Sequence, residues 1–273
     1  MGKIFDALKK VQDEKSTGPV VHPVKQQPEN SVMADMLVSH FNSSATIAEQ
    51  FRRLRTHIFR ERPEDPPRTI LVTSATSFEG KSFVAANLAI TIATKFDSYA
   101  VLVDCDLRKP SLSQLFGYDG AGGLTDYLQG NYDPSKLLIK TPIDKLYLIG
   151  GGEGQEMPVE LVGSKKMYDL IADLKSRYDD RYIILDSSPI LATTEPHLLS
   201  QLADATILVV RSGSTPRDSI QQALKLLDKD KLIGVVLNDV EFKTNAMHSR
   251  YFGTKYHYYP YYGKKKDEKT KGH

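Results

Sequence analysis

Three groups of residues in this chain carry types and spacings suited to phosphoryl chemistry. The first is Gly80-Lys81-Ser82, which closes a small-residue turn in the stretch 69–83, TILVTSATSFEGKSF. In a phosphate-binding loop, main-chain N–H groups curl around the phosphates, a lysine reaches the β- and γ-phosphates, and a hydroxyl binds Mg²⁺. Lys81 and Ser82 meet the last two demands, and Ser77, Phe78, Glu79, Gly80 and Phe83 complete the segment expected to line a nucleotide. The position six before Lys81 is Ala75 instead of the usual glycine, so the loop reads A-x-x-x-x-G-K-S. The second group is Asp104 and Asp106, which follow Val101-Leu102-Val103, and the third is Asp186, which follows Ile183-Ile184-Leu185.

Phosphoryl transfer needs a metal to offset charge on the β- and γ-oxygens and a group that orients or deprotonates the attacking hydroxyl. Asp186, directly after an apolar run, has the position of a Walker-B acid that holds Mg²⁺ alongside Ser82. Only one of Asp104 and Asp106 is expected to face the γ-phosphate, and Asp104 is favoured, as base or as water-mediated metal contact. The expected catalytic set is therefore Lys81, Asp104, Asp106 and Asp186, and the expected metal set is Ser82, Asp104 and Asp186. Cys105 should point away from Asp104, into packing. The seven histidines show no metal-site spacing, and Ser187 and Ser188 lack the Gly-x-Ser-x-Gly context of a nucleophile elbow.

The elements that position these groups follow from hydrophobic patterning. Strand-like runs occur at 70–73, 100–103, 146–149, 182–185, 206–210 and 232–237. Helical stretches are expected after the phosphate loop and near 123–129, 159–177, 195–203 and 216–228. Short, almost wholly apolar strands separated by helices imply a parallel sheet buried on both faces. The fold class is thus α/β, a P-loop NTPase with a mostly parallel sheet flanked by helices. Ligands of such sheets bind beyond the carboxyl ends of the strands, where the loop and all three acids converge.

Upstream, a helix is expected over 44–60, with Ser44 as its N-cap and Pro63, Pro66 and Pro67 as its stop. At 100° per residue Ile47, Phe51, Leu54 and Ile58 share one arc, while Glu49, Arg52 and Arg55 occupy another. The charged row reads as a surface pair or as an interface. Residues 1–15 are expected to form an amphipathic helix, through Ile4, Phe5, Leu8 and Val11, that would dock either on a partner or membrane or on the chain's own body. The proline- and glutamine-rich range 16–43 reads as linker.

The chain has 273 residues and a net charge of +2. One cysteine fits a reducing compartment, no run approaches the roughly 18 apolar residues of a membrane span, and the start MGKIFDALKK lacks a signal-peptide core. These features lead us to expect a cytoplasmic protein. Charge is unevenly spread: residues 243–273 hold eight Lys/Arg and two acids, which leaves the body at −4. With no basic body, nucleic acid is not an expected partner.

In the basic range 243–273, Tyr251, Tyr256, Tyr258, Tyr259, Tyr261 and Tyr262 account for six of the fourteen tyrosines. Neither helix nor strand periodicity explains their spacing. They read as an adhesive aromatic segment or as phosphate acceptors, each phosphorylation adding about −1.5 to −2 charges. Roughly 20 residues of extended chain span ~60 Å, enough to reach a neighbouring subunit's nucleotide site.

These motifs together resemble those of the bacterial protein-tyrosine kinases of capsule and exopolysaccharide operons. The match runs from about residue 44 onward: the loop SATSFEGKS, D-x-D-x-R as Asp104, Asp106 and Arg108, D-x-x-P as Asp186 and Pro189, E-x-x-R-x-x-R as Glu49, Arg52 and Arg55, and the tyrosine cluster. Two positions depart mildly from common family wording, Asp-Ser-Ser-Pro at 186–189 and Glu195. The resemblance implies a kinase domain over 44–242 and a flexible tail over 243–273. It also implies Mg·ATP-dependent autophosphorylation of the tail tyrosines in trans, within a ring held partly by the Glu49/Arg52/Arg55 helix. Further implications are control of polymer length or export, possible protein substrates, and recruitment to the inner face of the plasma membrane by a separate transmembrane activator of the polysaccharide co-polymerase type. Two other readings share the loop: a ParA/MinD-like positioning ATPase, against which Thr76 stands where a signature lysine belongs, and a nucleotide-gated scaffold without kinase activity.

Overall fold

The computed structural model describes residues 36–42, 46–61, 63–118, 122–176 and 180–240. The expected helix over 1–15, the Ser44 cap and the tail over 243–273 lie outside the described residues. Seven strands form one sheet in the order β3-β4-β2-β5-β1-β6-β7. They are β1 (Thr69–Ser74), β2 (Tyr99–Asp104), β3 (Ile139–Lys140), β4 (Leu146–Ile149), β5 (Arg181–Asp186), β6 (Ala205–Arg211) and β7 (Leu232–Asn238). All neighbouring pairs run parallel except β3 with β4.

Period-two alternation splits each central strand between two apolar layers. Ile70, Val72, Leu102 and Ile184 belong to the layer under helices α2 (Thr46–Glu61) and α3 (Lys81–Ala93). Leu71, Val101, Val103, Ile183 and Leu185 belong to the other, packed by α5 (Leu124–Gln129), α7 (Lys165–Ser176) and α8 (Glu195–Leu202). Cys105 is fully buried in that second layer, in keeping with a packing role. A third cluster joins Leu208 and Val210 of β6 to Ala223 of α9 (Arg217–Leu226).

Ten of the thirteen residues of α3 are buried, because the helix lies between the sheet and α2. Phe51 and Ile58 of α2 are buried, Ile47 and Leu54 pack beside them, and the Phe51 and Phe83 rings meet edge-on at 5.6 Å. The apolar arc expected over 44–60 is thus the packed face of α2.

Two expectations are corrected. The range 16–43 does not remain linker throughout: helix α1 (Val38–Phe41) lies within it, and Leu37 is fully buried. Buried Asn87 of α3 clamps this segment, accepting from the Ser39 N–H at 2.9 Å and donating to the Met36 carbonyl at 2.7 Å. Four residues are too few to show periodicity, so composition dominated the sequence reading. The single helix expected over 159–177 is two, α6 (Val159–Val162) and α7, since Gly163 ends the first and the Ser164 hydroxyl accepts from Met167 N–H at the start of the second. A further short helix, α4 (Leu112–Leu115), follows β2.

Candidate active site

Strand order brings the three chemical groups together. β5 lies between β1 and β2, so Asp186 pairs in register with Val72 on one side and with Asp104 on the other. The two carboxylates therefore end adjacent parallel strands, next to the loop that leaves β1.

That loop enters α3 through Gly80, whose φ is +85°. Glycine is required twice over: the left-handed backbone disfavours a side chain, and a Cβ here would lie 2.1 Å from Asn238 Nδ2. The Asn238 amide donates to the Glu79 carbonyl at 2.9 Å. The Glu79 carboxylate turns inward, only 2% exposed; it accepts from the Thr76 N–H at 2.8 Å and from the Thr215 hydroxyl. Among the residues expected to line the nucleotide, Glu79 thus builds the loop with its side chain and leaves only its main chain for phosphate. Thr215 and Asn238 were absent from the sequence reading, because neither belongs to a local motif.

Lys81 forms an ion pair with Asp106 at 2.9 Å. Burial alone would depress its ammonium, but Asp186, Asp106 and Asp104 outweigh that effect and hold it above the usual lysine range. The expectation that only one of Asp104 and Asp106 faces the donor site is corrected. Residues two apart in an extended segment lie on the same side, and both carboxylates act on Lys81.

Asp104 Oδ2 accepts from the Ser111 and Leu112 N–H groups at 2.8 and 2.9 Å, while its Oδ1 is buried without a partner. Burial and the neighbouring Asp186 charge push this carboxyl up to about 7, against the two N–H bonds. Burial likewise pushes Asp186 up to about 6, with Lys81 and the nearby Ser82 hydroxyl pulling the other way. No fully formed hydrogen bond reaches either Asp186 oxygen. Both members are displaced towards the neutral acid.

A glycine run that sequence reasoning passed over forms the wall beside Asp104. A Cβ on Gly151 would stand 2.6 Å from Pro110 and 3.4 Å from the Asp104 carboxyl carbon. The available signal was Gly150-Gly151-Gly152 directly after an apolar strand. Arg108 leaves the same side of the sheet and pairs with buried Glu195 at 2.9 Å, which ties the segment after β2 to the start of α8.

Three buried carboxylate oxygens without partners, beside a lysine and a serine hydroxyl, fit a hard divalent cation. Mg²⁺ takes one or two carboxylates plus phosphate oxygens and retains waters. Among the described residues, no group of three or more His, Cys, Asp or Glu side chains is placed to hold a metal ion by itself.

The remaining expected interface residues lie on α2. Glu49 and Arg52 pair at 2.7 Å, both roughly half exposed, whereas Arg55 turns back to donate to the Thr91 carbonyl of α3 at 2.5 Å. Among the described residues, no helix is long and apolar enough to cross a membrane.

No family model matches the chain. Individual relatives do. It is 32% identical to the tyrosine-protein kinase YwqD of Bacillus subtilis over 210 residues, 76% of this chain and 87% of YwqD. It is also 32% identical to the tyrosine-protein kinase CpsD of Streptococcus pneumoniae, over 74% of this chain and 86% of CpsD. The chain belongs to the bacterial tyrosine-protein kinase family. Among solved structures, the chimerical protein CapA2B2 superposes with a TM-score of 0.70 at 29% identity, over 76% of this chain and 90% of the chimera. The kinase domain of Escherichia coli ETK gives 0.72, covering 86% and 87%; at 24% identity it speaks for the fold alone. The P-loop fold and the nucleotide-binding character of the loop agree with this family membership. The tyrosine-protein kinase Wzc of Salmonella typhi is matched over 28% of its own length.

Proposed function

We propose that this chain is an ATP-dependent protein-tyrosine kinase that phosphorylates C-terminal tyrosines of a second copy. The observation that carries the reading is the buried Asp104–Asp186 pair beside Lys81 at the phosphate loop. Three of its oxygens are unpartnered, a costly arrangement in an empty fold that becomes useful beside a phosphoryl donor.

In this reading the loop's main chain and the first N–H groups of α3 hold the β- and γ-phosphates. Lys81 leaves Asp106 for the γ-phosphate, where its charge offsets that of the transferring group. Held by Asp186 directly or through water alongside Ser82, with Asp104 in contact through water, Mg²⁺ would supply further charge compensation at the phosphate oxygens. The tyrosine Oη attacks the γ-phosphorus in line, the bond to the β–γ bridging oxygen breaks, and ADP leaves. The phenol proton passes to the Asp104 carboxylate, whose raised affinity for protons suits a base working near neutrality.

The acceptors we assign are Tyr251, Tyr256, Tyr258, Tyr259, Tyr261 and Tyr262. The exposed Glu49–Arg52 face of α2 is the proposed contact of a ring oligomer, with Arg55 bracing α2 against α3. A separate transmembrane activator of the polysaccharide co-polymerase type brings the kinase to the inner face of the plasma membrane, where cycling of the ring governs exopolysaccharide or capsule assembly. The experiment is incubation of the purified full chain with Mg·ATP followed by phosphosite mapping. Phosphotyrosine within 251–262 is expected; its absence, even with the activator's cytosolic segment present, refutes the kinase reading.

A further inference from the structure

Phe78 is the one large side chain at the tip of the phosphate loop, and nothing inside the described fold accounts for it. Its backbone sits at φ +65°, in the left-handed region that favours glycine. The residue is 87% exposed. Glycine at this position would relieve both costs, and serine would relieve the second.

The neighbouring contacts explain the loop's main chain and leave the ring out. Glu79 ties down the Thr76 N–H, Asn238 holds the Glu79 carbonyl, and Gly80 makes the turn into α3. Phosphate recognition by such a loop uses N–H groups, so the phenyl ring is not needed for it. Instead the ring stands in solvent at the lip of the segment that carries the donor phosphates. The group that must come to those phosphates is a phenol, in a segment where Tyr251-Phe252, Tyr258-Tyr259 and Tyr261-Tyr262 stand side by side.

We infer that Phe78 is an acceptor-positioning residue: its ring packs against the aromatic ring of the incoming tyrosine and helps to hold Oη in line with the γ-phosphorus. The inference rests on the proposed kinase function. An exposed aromatic is selective here because an edge-to-face or offset contact rewards a tyrosine over a serine or threonine acceptor. The same cost in the unbound chain is recovered only when an acceptor covers the ring.

The test is steady-state kinetics of the full chain, carrying Phe78 or Phe78→Ala, with Mg·ATP and a synthetic peptide of residues 251–262 as acceptor. An aromatic contact of ordinary strength corresponds to a rise of about three- to tenfold in the acceptor KM for Phe78→Ala. The ATP KM should move less than about twofold, and Phe78→Tyr should restore the acceptor KM. Thermal unfolding of Phe78→Ala should match or exceed that of the parent, since the ring supports no core. An unchanged acceptor KM, or an ATP KM that rises in step with it, overturns the assignment; the latter places the ring on the nucleotide. Failure of the parent chain to phosphorylate the peptide or itself overturns the kinase reading, and is distinct from transfer that is indifferent to Phe78.

Discussion

Replacing Asp186 by asparagine should make the nucleotide-free protein more stable while abolishing transfer. The folded protein raises this carboxyl to about 6, chiefly through burial, from an ordinary value of 3.8. A shift of about two pH units corresponds to ~3 kcal/mol that the ionised form costs the fold above neutrality. Asparagine removes the charge but leaves a buried amide in the same place, and an unpartnered polar group keeps a penalty of ~1–3 kcal/mol. The net gain expected at pH 8 is therefore ~0–2 kcal/mol, or a rise of up to ~8 °C in Tm for a domain of this size. The sign follows from linkage. Because the folded state binds the proton more tightly, wild-type stability from this group is full only below pH 3.8, is lost progressively as pH rises to about 6, and stays lost above it. The variant lacks that decline, so its advantage should be largest at pH 8 and shrink towards pH 5. Thermal unfolding of both chains at the two pH values, without Mg²⁺ or nucleotide, measures it. A lower Tm for Asp186→Asn at pH 8, or an advantage that does not narrow at pH 5, refutes the argument that burial of this charge is a cost borne for function.

Other perturbations separate the remaining roles. Gly80→Ala sets a methyl against Asn238 on a left-handed backbone, and should weaken nucleotide binding at least tenfold, read by titration with a fluorescent ATP analogue; affinity within twofold of wild type would contradict the loop geometry. Arg52→Ala should shift the oligomer to smaller species by light scattering with Tm unchanged within about 2 °C, since exposed pairs contribute under ~1 kcal/mol. Arg55→Ala should lower Tm as well, because it removes the bond to the Thr91 carbonyl. Retention of the parent oligomer by Arg52→Ala returns Glu49–Arg52 to an ordinary surface pair.

Much of this arrangement was legible in the sequence because its determinants are local. The runs at 146–149 and 232–237 stand out as apolar segments bounded by turn residues, and β4 and β7 lie there. Gly80, Lys81 and Ser82 were readable as one local motif between β1 and α3, and Asp104 and Asp186 because each is the last residue of its strand; a parallel sheet gathers its strand ends on one edge. What escaped depends on distant partners. Glu79 meets Thr215 and Asn238 across separations of 136 and 159 residues, and no local pattern announces those bonds. β3 is two residues on an antiparallel edge, too short for alternation, and α1 is held by the buried amide of Asn87 instead of by amphipathic character. Arg55 shares an arc with Glu49 and Arg52 by angle, yet its long side chain reaches back to α3, which helical periodicity alone does not report.

The central claim is that the loop and acids of one chain serve the tyrosines of another, and a mixing experiment tests it most directly. Full-length Lys81→Met, with its six tail tyrosines intact, supplies acceptors without a working donor site. A second chain, with those six tyrosines changed to phenylalanine, supplies the donor site without acceptors. Mixed with Mg·ATP, the pair should place phosphate on residues 251–262 of the Lys81→Met chain, while each alone gains little. No phosphotyrosine on the Lys81→Met chain, under conditions in which the unmodified protein labels itself, would contradict transfer between copies.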